Sequence, residues 1–157
     1  MIVAIAEKYL GKREKPNNMG FEDAEFEKRM QEVGFHKGQA WCSYFAELVW
    51  KEAGQDVKPF SAGAFQTYLN YEKAGRKGSA VPELGALVVW RSIKNNVPQW
   101  TGHIGIVTEV GTDYFRTIEG NTNDEGSREG IKVARKKRKY LWKVSSGLQL
   151  VGFINPK

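Results

Sequence analysis

Cys42 is the only cysteine in a chain of 157 residues, and it stands where the loop "GQAW" gives way to an apolar stripe. The stripe, Cys42, Phe45, Ala46, Val49, Trp50 and Ala53, follows the i, i+3, i+4 spacing of an amphipathic helix that Gly54 ends. A thiol attacks as its thiolate, so an ordinary value of about 8.5 must be lowered for work at neutral pH. The unpaired N–H groups at a helix N-terminus lower it, and a neighbouring imidazolium lowers it further. Taken alone, Cys42 reads equally as a small hydrophobe heading its stripe. Nucleophilic chemistry requires a base.

Two histidines are present, His36 and His103. His36 lies in the glycine-flanked loop "VGFHKGQAWC" and is expected at the surface or beside a substrate. His103 opens the strongest predicted strand, "HIGIVTEV", where a side chain can be held firmly and still face a cleft. The next strand, "YFRTIEGN", follows the turn Gly111–Asp113. A three-residue loop pairs Val110 with Tyr114. His103 then sits opposite Asn121 and diagonal to Glu119, all on one face. A two-residue loop would turn Glu119 to the other face unless a bulge restored the register. A carboxylate so placed fixes the imidazole tautomer and stabilises its charged form.

The elements that must position these groups divide the chain in two. Up to about residue 75 the pattern is helical. It comprises a first helix with Ile2, Ile5, Ala6 and Tyr9 on one face, the acid-led "FEDAEFEKRMQEVG", the helix headed by Cys42, and a last helix from near Ser61 to Gly75. From Pro82 short strands take over: "ALVVW", "HIGIVTEV", "YFRTIE", "IKVAR" and "LQLVGFI". Helices first and strands after predict an α+β fold, with N-terminal helices packed on a C-terminal antiparallel sheet. The length fits one domain over residues 1–157, able to bury a core without disulfides.

Composition bounds the partners. No segment approaches the roughly 18 apolar residues of a membrane span, and no signal peptide is legible in "MIVAIAEKYLGKREK". No CxxC pair or His/Cys cluster offers a zinc site, and acyl transfer by a thiol and a base would need neither metal nor organic cofactor. The net charge of +6 is partly concentrated in Arg135–Lys139, five consecutive basic residues. They read as a solvated strand edge or loop, or as an attraction to an anionic envelope polymer. No RNA-binding motif or recognition helix accompanies them, so no specific nucleic acid is expected.

The segments "AWCSYFAELVWKEAG", "GALVVW", "GHIGIVTEV" and "TIEGNTNDEGSREGIKVARKKR" resemble the CHAP family of cysteine peptidases and amidases. That family belongs to the papain-like superfamily and cleaves bacterial peptidoglycan. The resemblance runs from about Trp41 to the C-terminus. It implies a papain-like fold, Cys42 as nucleophile, His103 as base and then acid, Glu119 as its orienting group and Asn121 as a further polar member. Which of Glu119 and Asn121 bonds the ring stays open. Gln39 stands three residues before the thiol, and the backbone N–H of Cys42 is the safer oxyanion donor. Gln39, Trp41, Tyr44, Trp90 and Trp100 are the expected substrate-facing residues.

The resemblance implies cleavage of peptidoglycan amides through a thioester, as an endopeptidase or N-acetylmuramoyl-L-alanine amidase. Two other readings stand beside it: a papain-like toxin or deamidase acting on protein amides, and a non-catalytic envelope-polymer-binding module. A wall hydrolase made in the cytoplasm without a signal peptide would reach the wall or periplasm by phage lysis or a secretion system. An injected effector would bring an inhibitory immunity protein as partner.

Overall fold

Four helices, α1 (Ile2–Lys8), α2 (Ala24–Glu32), α3 (Cys42–Glu52) and α4 (Ala64–Lys73), precede the strands among the described residues. The strands are β1 (Leu87–Lys94), β2 (Val97–Val110), β3 (Tyr114–Thr122), β4 (Lys132–Lys139) and β5 (Gly147–Ile154). The computed structural model describes residues 1–122 and 132–157, and the side chains of Asn121 and Thr122 also lie outside the described residues. All neighbouring strands are antiparallel, in the order β4-β3-β2-β1-β5. The α+β order expected from the sequence is therefore the observed one.

Local chemistry explains the helix starts. The Asp23 carboxylate accepts the Phe26 N–H at 2.8 Å, capping α2. α4 begins three residues later than its periodicity suggested, because Ser61–Gly63 are held by side chains of α3 and of α4 itself. The Ser43 hydroxyl donates to Ser61 O at 2.5 Å, and the Thr67 hydroxyl accepts from Ser61 N at 3.0 Å and donates to Gly63 O at 2.8 Å.

Side chains alternate along each strand, so the sheet carries two apolar layers. Leu87, Val89, Ile104, Ile106 and Ile118 join the helices in one core with Phe45, Val49 and Trp50. Val88, Trp90, Val107, Phe115, Leu150 and Phe153 form the other. Packing of α3 on β3 demands glycine at position 120. A Cβ there would lie 2.7 Å from both the Phe45 Cβ and the Trp41 ring. The N-terminal segment closes part of the β4 edge, with Gly11 N donating to Val133 O and Val133 N to Lys12 O.

Two hairpins differ from their expected form. β1 and β2 run on to a two-residue turn at Asn95 and Asn96, whose φ values of 48° and 66° suit a type I′ hairpin. His103 thus lies within a strand that starts at Val97, rather than opening it. In the β2–β3 hairpin Val110 pairs with Phe115, one residue later than expected, and that register alone would turn Glu119 away from His103. An irregularity between Val107 and Glu109 then shifts the register to Val107↔Thr117 and Ile106↔Ile118. Gly105 accordingly sits against Glu119, which returns the carboxylate to the face of His103. No described helix is long and apolar enough to cross a membrane.

Candidate active site

Cys42 is the first residue of α3, whose N-cap, Trp41, supplies no side-chain hydrogen bond and whose first turn carries no acid. The leading N–H groups are thus left by side-chain caps to act on a negative charge at the sulfur. Cys42 and His103 line one cleft of about 220 Å³, with Ala40, Ala62, Gly63, Ala64, Trp100, Thr101 and Gly102. A larger hollow of about 610 Å³, lined by Ala80–Pro82, Val110–Asp113 and Lys139–Leu141, contains neither group. Nucleophilic chemistry selects the smaller one.

His103 is buried, stacked at 28° on Trp90 with ring centroids 5.7 Å apart. Its Nε2 lies 2.8 Å from Glu119 Oε1, which leaves Nδ1 as the ring nitrogen to serve the Cys42 side chain in the cleft they both line. Among the described residues, the group bonded to the imidazole Nε2 is Glu119. Asn121 belongs to β3, while its side chain lies outside the described residues.

Glu119 is fully buried and accepts further hydrogen bonds from the Thr117 hydroxyl (2.5 Å) and from Arg138, whose Nε and Nη2 reach Oε2 at 2.9 Å and Oε1 at 2.5 Å. Burial alone would drive Glu119 towards its neutral form. The charges and hydrogen bonds of His103 and Arg138 override it and hold the carboxyl far below the usual carboxylate range. For His103, burial again opposes the charge, but the Glu119 carboxylate and the Cys42 side chain raise the ring to about 9. Coulombic attraction is mutual, so the imidazolium favours the thiolate in turn. The arrangement can store a nucleophile and a proton side by side.

Arg138 was not singled out in the sequence. It belongs to the basic run expected as a solvated edge, and β4 is indeed an edge strand with Arg135, Lys137 and Lys139 exposed. Alternation sends Arg138 to the other face, where its guanidinium forks onto Glu119 and lies 4.8 Å over the Trp90 ring. The signal was the two-residue period from Ala134, the partner of Glu119. Seeing it required the β3–β4 register.

The expected substrate-facing residues separate. Trp100 is 69 % exposed and lines the cleft. Trp41 is fully buried, its indole N–H donating to Glu14 at 2.8 Å, and it packs edge-on against Phe21. Tyr44 is buried beside Phe35, and Trp90 lies in the core beneath His103. Gln39 uses its carbonyl oxygen on the His36 N–H, closing its own loop. None of these four lines the cleft. Their rings and amide already have partners in the fold.

Gly105 makes room for the acid. A Cβ there would stand 2.7 Å from Glu119 Cγ, at the root of the side chain rather than its flexible end. Gly105→Ala is expected to displace the carboxylate and lower kcat by about tenfold or more while far-UV circular dichroism stays native. Wild-type kcat in that variant would show that Glu119 need not hold its place.

The CHAP domain family model matches residues 34–121, which include Cys42, His103 and Glu119. No curated protein matches the chain.

Proposed function

The chain belongs to the CHAP domain family, and from that premise we propose that it is a cysteine-dependent hydrolase cutting amide bonds of bacterial peptidoglycan. The observation that carries this reading is that Cys42 and His103 line one cleft, with the buried Glu119 bonded to His103.

The Cys42 thiolate attacks the carbonyl carbon of a substrate amide, and the carbonyl electron pair moves onto oxygen. The N–H of Cys42 at the start of α3 stabilises that oxyanion. The proton of the His103 imidazolium passes to the amide nitrogen as the C–N bond breaks, releasing an amine and leaving a thioester on Cys42. Neutral His103 then takes a proton from water, whose oxygen attacks the thioester. The acid departs and the thiolate–imidazolium pair returns. Glu119 stays ionised throughout and holds the ring.

Purified peptidoglycan sacculi incubated with the protein are expected to release new amines, with the two fragments from each bond cut together exceeding the parent by one water when weighed by mass spectrometry. The masses also separate amidase from endopeptidase cleavage. Unchanged sacculi, in the presence of protein whose thiol is still reactive, would refute the proposal.

A further inference from the structure

Arg91 lies behind one wall of the cleft, on the neighbouring strand, where it pairs with Gly102, the residue before His103 and itself part of the cleft lining. Its guanidinium lies 4.4 Å over the Phe65 ring and 5.4 Å from the Trp100 ring, and the two rings are 5.6 Å apart. The Nε–H donates to Gln99 O at 2.6 Å, fixing the plane of the fork. Among the described residues, Arg29, Arg116, Arg135 and Arg138 each hold a carboxylate. Arg76, stacked in similar fashion on Trp50 and Tyr71, donates its Nη2 to Asn155 O. Arg91 is partly buried, and both its terminal nitrogens lack a protein acceptor among the described residues.

A planar, oriented fork whose terminal nitrogens have no acceptor among the described residues, beside an indole that is 69 % exposed on the cleft wall, is built to receive an anion. We propose that Arg91, Phe65 and Trp100 form a carboxylate-binding subsite that seats a free carboxylate of the peptide part of the substrate. The inference rests on the cleft acting on peptide-bearing wall polymer, and it names the substrate feature recognised. Trp100 stands three residues before His103 on one strand, a separation of roughly 10 Å. An extended peptide covers that span in about three residues, so the carboxylate lies two or three residues from the bond being cut. Phe65 and Trp100 hold the fork flat and shield its bonds from water, which strengthens them.

The test measures binding without turnover. Cys42→Ala protein is titrated calorimetrically with two synthetic stem tetrapeptides, both amidated at the C-terminus. In each, D-glutamate is joined through its side chain, with its main-chain carboxylate free in one peptide and amidated in the other. The free acid is expected to bind at least about tenfold more tightly. That preference should vanish in Cys42→Ala/Arg91→Met and survive in part in Cys42→Ala/Arg91→Lys, which keeps the charge but loses the fork. Equal binding of the two peptides, binding of neither, or a preference that persists in the Met variant would each overturn the subsite. Hydrolysis of sacculi by the wild-type protein is scored separately. Cutting without the preference removes the subsite alone, whereas the preference without cutting removes the hydrolase reading.

Discussion

His103→Ala is expected to lower kcat/KM on peptidoglycan by about 10³-fold or more, at the upper part of the range for losing a general acid–base group. The loss exceeds that of a base alone because two functions go together. The ring supplies the leaving-group proton, and its positive charge favours the thiolate beside it. Removal also leaves the buried Glu119 to Arg138 and Thr117 as its remaining partners among the described residues. The charge of Glu119 therefore stays compensated and the fold should survive, as near-native circular dichroism would confirm. His36→Ala, in an exposed loop, is the control and should keep wild-type activity. Loss of activity in His36→Ala alone would reassign the base.

Glu119→Gln is expected to cost about 10- to 100-fold in kcat and to move the alkaline limb of the pH profile. In the wild type the limb should fall near pH 9, where His103 gives up the proton that the leaving amine needs. The sign of the change follows from the surroundings. Burial pulls the imidazolium down, and the Glu119 carboxylate is a principal force pushing it up. With glutamine in its place, burial remains and the uncompensated Arg138 cation adds repulsion, so the limb moves to lower pH. Stability has a matching signature. His103 is raised, so its contribution is full below its ordinary 6.5 and is lost as pH climbs through about 9. Glu119 is depressed, so its contribution is full above its ordinary 4.5 and is lost on acidification through its lowered folded value. Thermal melts of the variant against pH should lose both slopes. An alkaline limb that stays near 9 in Glu119→Gln would show that another group sets the charge of the ring.

Much of the site was legible because short-range periodicity encodes it. The stripe from Cys42 to Ala53 places the thiol at the mouth of a helix, and α3 starts at Cys42. Alternation and a short turn placed His103 and Glu119 on one face. The face was right although the loop pairing was not, since an irregularity near Thr108 compensates for the shifted pair at Val110. A bulge leaves no periodic trace in the sequence, so only the demand that the two groups meet pointed to it.

The remaining features depend on contacts between distant segments. Trp41, Tyr44, Trp90 and Trp100 look alike as aromatics near motifs, yet only Trp100 lies on the cleft wall. What separates them is whether Glu14, Phe35 or the sheet core reaches them first. Arg138 shared its charge with four neighbours in sequence, and one strand pairing distinguishes it from them. The Asn95–Asn96 turn was readable in principle, because asparagine tolerates positive φ, but the polar stretch around it hid the extension of β1 and β2.

The central claim is that His103, held by Glu119, keeps the sulfur of Cys42 ionised. Cys42 is the only cysteine, so the rate of alkylation by iodoacetamide against pH titrates that atom alone. In the wild type the rate should reach its plateau well below the pH of about 8.5 at which an ordinary thiol is half ionised, and in His103→Ala the curve should move up towards that value. A wild-type curve centred on the ordinary thiol value, or one that His103→Ala leaves in place, would contradict the claim.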